Sequence, residues 1–73
     1  MAYNSGQAQL AIEYFEQALQ ADPSLSDAQF NLGAIYYNLK RYNDALKAFT
    51  SFLQSNPNDS ASRYEQARTF EQL

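Results

Sequence analysis

The chain has 73 residues, carries five basic and eight acidic side chains for a net charge of −3, and contains no Cys, His or Trp. A chain of this length forms one small domain, and the missing residue types exclude disulfides, zinc–sulfur sites, cysteine nucleophiles and proton transfer by histidine. A net acidic chain without a Lys/Arg cluster also argues against nucleic-acid binding, since basic side chains supply the affinity for phosphates.

The hydropathy of the chain argues for a soluble protein. The first seven residues lack the basic and apolar regions of a signal peptide. No stretch approaches the ~18 consecutive apolar residues that a membrane helix needs. We therefore expect no membrane partner and a cytoplasmic rather than a secreted location, although no motif specifies a compartment.

Two amphipathic helices are predicted in the first half of the chain. Apolar residues recur at helical spacing from residue 8 to residue 21, which is the pattern of a helix with one buried face. Pro23 ends this helix, because proline disfavours the α conformation in the preceding residue and donates no N–H. A second helix is predicted over residues 27–39, and Ser26 with Gln29 resembles a capping box at its start.

Two further helices are predicted in the second half. Residues 42–55 again place their apolar side chains on one face, and Pro57 follows the end of this third helix. Asp59 or Ser60 can cap a fourth helix that reaches residue 73. Because the links are short, neighbouring helices must pack antiparallel. The predicted fold class is all-α, an antiparallel array of about four helices arranged as hairpins.

The second half of the chain repeats the first at an offset of 34 residues. Chance matches would scatter over polar positions, whereas these matches concentrate at apolar and turn-forming positions. A fixed period of this length is typical of helical repeat arrays. The identical pairs include Ala11 with Ala45, Phe15 with Phe49, Leu19 with Leu53, Pro23 with Pro57 and Leu39 with Leu73.

Residues 26–59 resemble one complete tetratricopeptide repeat, a helix–turn–helix unit of about 34 residues. Residues 1–25 resemble the C-terminal part of a preceding repeat, with Gly6 in its interhelix turn, and residues 60–73 resemble the first helix of a further repeat or an end helix. The resemblance implies a single α-solenoid fragment whose helices alternate second, first, second, first (a B-A-B-A frame). The motif residues of the complete repeat are Leu32, Gly33, Tyr36, Ala45, Phe49 and Pro57, and those of the last helix are Ala67 and Phe70.

Several residues depart from the family pattern. Lys40 stands where glycine is usual in the interhelix turn, which costs stability if that position needs a positive φ. Phe52 replaces a small alanine, so we expect the following helix to lie farther away or to be rotated. Gln66 replaces leucine and makes the last helix more polar. Since the frame holds no complete terminal hairpin, we expect either a piece of a longer array or identical chains that pack together or swap helices.

Candidate catalytic and metal-binding residues are sparse. Glu13 and Glu16 have the i, i+3 spacing of a carboxylate pair, but they lie opposite the apolar stripe and are interpreted as surface charge. No Ser has a His partner, and the sequence holds neither a glycine-rich phosphate loop nor an EF-hand spacing. We expect no catalytic activity, no cofactor and no metal.

The resemblance also implies a concave groove, lined by the first helix of each repeat, which receives an extended peptide or a helix of a partner protein. In that groove, Phe30, Tyr37 and Tyr64 would form an aromatic strip for apolar anchors, and the amide side chains would hydrogen-bond a peptide backbone. The alternative is that the rings pack against other repeats or fill gaps. The residues placed on this concave face are Asp27, Phe30, Asn31, Ala34, Tyr37, Asn38, Tyr64, Glu65, Arg68 and Gln72.

One subtype of the family clamps the C-terminal carboxylate of a partner with Lys, Asn and Arg side chains. Asn31 fits one position of this clamp, but Ala61 and Glu65 stand where cations would be needed, so a carboxylate clamp is disfavoured. The leading hypothesis is a non-catalytic protein–protein interaction module that binds a protein or peptide. The alternative is a self-associating structural repeat unit, natural or engineered, that forms a homodimer by packing or helix swapping.

Overall fold

The computed structural model describes residues 5–73, which form four α-helices joined by short links. Each helix packs mainly against the helices that precede and follow it in the chain. The described residues contain no strand, and the all-α helical hairpin fold expected from the sequence is confirmed. The helices are α1 (Ser5–Ala21), α2 (Ser26–Asn38), α3 (Tyr42–Ser55) and α4 (Ser60–Gln72).

The start of α1 differs from the prediction. The helix begins at Ser5, three residues earlier than expected, so that Gly6 is an exposed residue of its first turn. The placement of Gly6 in an interhelix turn is therefore wrong. A glycine is tolerated in a helix at a cost of about 1 kcal/mol relative to alanine.

The capping box predicted at the start of α2 is also absent. The N-cap residue is Leu25, with φ −73° and ψ 82°, and no side chain caps the helix. Ser26 is already helical, so its hydroxyl is one residue too late to act as the N-cap acceptor. The Leu25 carbonyl instead accepts hydrogen bonds from the N–H groups of Ala28 and Gln29 at 3.2 and 3.4 Å. Gln29 Oε1 is buried without a hydrogen-bond partner.

The start of α4 is capped as predicted. Asp59 lies in the extended region at the N-cap, and its side chain accepts a hydrogen bond from the Ser62 N–H at 2.9 Å. This bond satisfies one of the backbone donors that a helix leaves free at its first turn. At the C-terminal end of α3, the side-chain amide of Asn56 donates a hydrogen bond to the Phe52 carbonyl at 3.2 Å.

The link between α2 and α3 is a tight turn around Lys40. The N–H of Lys40 donates to the Tyr37 carbonyl at 3.0 Å, and the N–H of Arg41 donates to the Tyr36 carbonyl at 2.8 Å. This pair of bonds is the Schellman arrangement, which requires a left-handed residue after the helix. Lys40 supplies it with φ 61°, so the position that glycine usually occupies does need a positive φ.

The core lies between the first three helices and centres on Phe49 of α3, which has no exposed surface. Gly33 of α2 allows this ring to approach, since a Cβ at Gly33 would lie 2.6 Å from Phe49 Cε1. Phe30 packs edge-on against both Phe49 and Phe52, with ring centroids 5.6 and 5.4 Å apart. The buried members of the core are Ala8, Ile12, Leu32, Ile35, Tyr36, Ala45 and Phe49.

Two polar residues of α4 are fully buried. Ser62 and Thr69 each have no exposed surface, and they lie 34 positions after the buried Ala28 and Ile35 of α2. The Thr69 hydroxyl donates to the Glu65 carbonyl one turn earlier at 2.7 Å. The Ser62 hydroxyl is buried without a partner. α4 thus uses the same helix face as α2 to pack on the preceding helix, but with polar side chains.

Candidate binding surface

One exposed face of α2 carries four of the residues predicted to bind a partner. Asp27, Asn31, Ala34 and Asn38 follow each other at intervals of four, three and four residues, which places them along one side of a helix. Three of them are exposed and Ala34 is partly buried, whereas the opposite side of α2 holds the core residues. The concave face predicted for α2 is therefore available to solvent.

A pocket of about 320 Å³ opens between this face of α2 and the start of α4. Three predicted residues, Asp27, Phe30 and Asn31, form its wall on the α2 side, and Phe30 packs there against the buried ring of Phe52. The pocket thus combines aromatic surface, an amide and two carboxylates. Its residues are Asp27, Phe30, Asn31, Phe52, Asp59 and Ala61.

Three of these lining residues were not among the predicted site residues. Phe52 takes part because a large ring stands where the family has a small alanine, a departure that the sequence does show. Asp59 and Ala61 take part because the first turn of α4 lies beside α2, and Asp59 is the N-cap of that turn. The sequence offered a signal for each of these two residues. Asp59 is a predicted cap of the fourth helix, and Ala61 stands at a position of the carboxylate clamp.

The three predicted aromatic residues have different environments. Phe30 packs against Phe49 and Phe52 and is partly buried. The ring of Tyr37 packs edge-on against Tyr42 at 5.3 Å, while Tyr64 is 64% exposed. Phe30 thus belongs to the pocket wall and the core together, and Tyr64 is the ring with the most surface free for contact.

Arg68 connects α4 to α2 at the other end of the surface. Its guanidinium lies 4.4 Å from the centre of the Tyr37 ring and 5.9 Å from that of Tyr64, within the range of cation–π attraction. One nitrogen donates to Glu65 Oε2 at 2.7 Å, whereas Arg68 Nε is buried without a partner. Four predicted residues are therefore brought together in one cluster. Gln72, the last residue of α4, is exposed.

A second hollow, of about 200 Å³, lies between α2 and α1. Asn31, Ala34 and Asn38 of the exposed α2 face line it together with Phe15 and Ile35. Asn31 therefore borders both hollows and occupies the centre of the surface. Its amide can serve as donor and acceptor at once, which suits a ligand that presents backbone N–H and C=O groups.

One carboxylate of the α1 pair, Glu16, contacts the neighbouring helix α2. Glu13 and Glu16 are both exposed, and Glu16 Oε2 accepts a hydrogen bond from the Tyr36 hydroxyl at 3.4 Å. Burial of the phenol raises the pKa of Tyr36 above its ordinary value of 10.0, and the nearby charge of Glu16 raises it further. Both effects disfavour the phenolate. Tyr36 therefore stays neutral at physiological pH and ties α2 to α1.

A sequence model described as the tetratricopeptide repeat matches residues 2–69 of the chain. The chain belongs to the tetratricopeptide repeat family. Repeats of this family generally mediate protein–protein interactions and are typically non-catalytic. No curated protein matches the chain. In residues 5–73, none of the helices has the combined length and apolar character that crossing a membrane requires.

Proposed function

We propose that this tetratricopeptide repeat chain is a non-catalytic interaction module that receives an extended peptide along the exposed face of α2. The pocket between α2 and the start of α4 is the observation that carries this proposal. It is large enough for an amino-acid side chain, it has aromatic surface from Phe30 and Phe52, and Asn31 lies at its edge. Most of its wall belongs to ordered helices, which limits the entropy lost on binding.

The ligand chemistry follows from the lining residues. An apolar side chain that enters the pocket would bury its surface against the rings of Phe30 and Phe52, at about 25 cal/mol per Å². The Asn31 amide would then hydrogen-bond the peptide backbone next to that side chain, since buried backbone groups need partners. A neighbouring residue could contact the exposed ring of Tyr64.

Charge favours a basic or neutral peptide over an acidic one. Asp27 and Asp59 both line the pocket, and the whole chain carries a net charge of −3. An acidic tail or a C-terminal carboxylate would meet like charge there, which slows association and costs affinity. The carboxylate clamp disfavoured by the sequence is therefore disfavoured by this surface as well.

The repeat boundaries support this assignment. We place one complete repeat at residues 26–59, which contains the hairpin of α2 and α3, with the C-terminal part of a repeat before it and a first helix after it. The Schellman turn at Lys40 closes that hairpin. In this division α2 and α4 are both first helices, which is the pair that lines the pocket.

A peptide-selection experiment tests the groove. Random-sequence peptides are displayed on phage, selected against the chain, and their affinities are measured for the chain and for Asn31→Ala. Selected peptides should carry an apolar residue beside a basic one, and Asn31→Ala should weaken binding about tenfold, as loss of one hydrogen bond implies. Asn43→Ala, an exposed change in α3, is the matched control. The groove assignment would be refuted by peptides that bind Asn31→Ala and Asn43→Ala with equal affinity and shift amide NMR signals only in α3.

Self-association is a second role, favoured by a different observation. Large apolar side chains are exposed on the two outer helices: Leu10 and Tyr14 of α1, and Phe70 with the following Leu73 at the end of α4, are 57–69% exposed. Contact between copies would remove this surface from water. A midpoint of thermal unfolding that rises with protein concentration would support this role, and a midpoint that stays constant would exclude it.

A further inference from the structure

The outer helix α4 exposes a face that its counterpart α2 buries. Phe70 is 57% exposed, whereas Tyr36, 34 residues earlier, is 9% exposed. Ala67 is exposed as well, whereas its counterpart Gly33 is buried against the ring of Phe49. α4 therefore presents to solvent the surface with which α2 packs on α3.

The outer helix α1 exposes the complementary face. Ala45 and Phe49 of α3 have no exposed surface, whereas their counterparts Ala11 and Phe15 of α1 are only partly buried. Tyr14, next to this face, is 69% exposed and packs edge-on against Phe15. α1 therefore presents the surface with which α3 packs on α2.

We propose that a second copy of this chain docks its α1 on α4, so that the two helices pack across the contact as α2 and α3 pack within one chain. Phe15 of the second copy would lie on Ala67, and Ala11 of the second copy would lie beside Phe70. The occupant is a copy of the chain because α1 repeats the sequence pattern of α3 at a fixed offset. This inference rests on the proposed self-association and not on the peptide groove.

The proposed contact is head to tail. It joins α4 of one copy to α1 of the next and leaves one free face at each end, so association continues as an open chain of copies rather than stopping at a dimer.

The comparison of Ala67 with its counterpart Gly33 sets the expected strength of association between copies. A Cβ at Gly33 would lie 2.6 Å from the Phe49 ring, so the alanine at position 67 holds α4 farther from a docked helix than α2 lies from α3. Wider spacing loses dispersion contacts. Association is therefore weaker than the internal hairpin and depends on protein concentration.

Sedimentation velocity and light scattering over a wide concentration range test the contact. The chain should rise from its 8.3 kDa monomer to species of at least about twice that mass as concentration increases. Phe70→Glu should keep the chain monomeric by blocking the α4 face, and Ala11→Glu should do so by blocking the α1 face. Tyr14→Glu is the second α1 variant, since Tyr14 is mostly exposed and its replacement leaves the core intact. Lys47→Gln, an exposed change in α3 that lowers the net charge by one unit as each Glu variant does, should associate as the unchanged chain does.

Mixing the two blocked variants decides the geometry. An equal mixture of Phe70→Glu and Ala11→Glu retains one intact contact, so it should form a heterodimer of about twice the monomer mass and nothing larger. Association that survives Phe70→Glu, or a mixture that stays monomeric while both variants remain folded by circular dichroism, would overturn the inference. The unchanged chain remaining monomeric at every concentration would overturn self-association altogether. Peptide binding by Phe70→Glu tests the groove independently of either result.

Discussion

The close packing of the Phe49 ring on Gly33 gives a sharp test of how the core is stabilised. In Gly33→Ala, the added Cβ would lie 2.6, 2.8 and 2.8 Å from three ring atoms of Phe49, whereas ordinary carbon contacts are about 3.5–4.0 Å. The ring must therefore move by about 1 Å. The Phe49 ring has no exposed surface, and the centroid of the Phe30 ring lies 5.6 Å from its own centroid. The strain therefore spreads into the core.

Two opposing effects set the expected magnitude. Overpacking a core costs about 1–3 kcal/mol, whereas replacing a helical glycine by alanine gains up to about 1 kcal/mol in helix propensity. Because the contact is so short, overpacking outweighs propensity, and Gly33→Ala should lose about 1–2 kcal/mol of unfolding free energy. For a domain of this size that loss lowers Tm by roughly 4–16 °C. Gly6→Ala, an exposed change in α1, is the control and should be neutral or slightly stabilising.

Urea unfolding followed by circular dichroism, at one low protein concentration, measures these differences. Phe49→Leu removes the ring atoms that the new methyl group would strike, so Gly33→Ala should cost at least about 1 kcal/mol less in the Phe49→Leu background than in the unchanged chain. Equal costs in the two backgrounds would show that the two residues do not interact. A Gly33→Ala chain as stable as the unchanged one would refute the packing argument itself.

Three further predictions concern single positions. Lys40→Gly should raise the unfolding free energy by about 1 kcal/mol, because Lys40 has φ 61° and only glycine adopts that conformation without a steric cost; Lys40→Ala, which keeps the Cβ, should give no such gain in the same urea assay. Ser62→Ala should stabilise the chain by about 1 kcal/mol, since the Ser62 hydroxyl is buried without a partner and removing it ends that penalty; the exposed change Ser60→Ala should not. The backbone and side chain of Ser24 donate to Asp22 Oδ1 at 3.1 and 2.6 Å, and these bonds hold the pKa of Asp22 below its ordinary value of 3.8. The resulting stabilisation is present above the ordinary pKa of aspartate and is lost as pH falls through the lowered pKa of Asp22. Ser24→Ala removes the side-chain bond, so carboxyl NMR titration should find a higher Asp22 pKa in this variant than in the unchanged chain.

The four helices were predictable because local rules and the repeat agree. Pro23 and Pro57 follow two of the helices, Asp59 starts the last one, and the apolar residues keep one helical period between these marks. The two errors are both at helix starts. Whether Leu25 or Ser26 is the N-cap depends on one pair of backbone angles, which a residue pattern does not determine.

The candidate surface was predictable only to the level of the helix face. The spacing of Asp27, Asn31 and Asn38 places them on one side of α2 whatever the details of packing. The position of the Arg68 guanidinium was not predictable, because a long flexible side chain chooses among many rotamers according to its neighbours. The sequence does carry a signal for the burial of Thr69, since Thr69 stands 34 residues after the buried Ile35.

The repeat explains why one helix architecture can offer two kinds of contact. Helix α2 has a side that packs on α1, a side that packs on α3, and a third side that neither of these helices covers. On α2 the first two sides are occupied, so only the third, with Asn31 at its centre, remains for a ligand. On α4 the side that holds Phe70 is free as well. A contact that covers Phe70 therefore leaves Asn31 open to a ligand, and the two surfaces should be occupied independently. They become coupled only if the docked copy moves the start of α4, where Asp59 and Ala61 form part of the pocket wall.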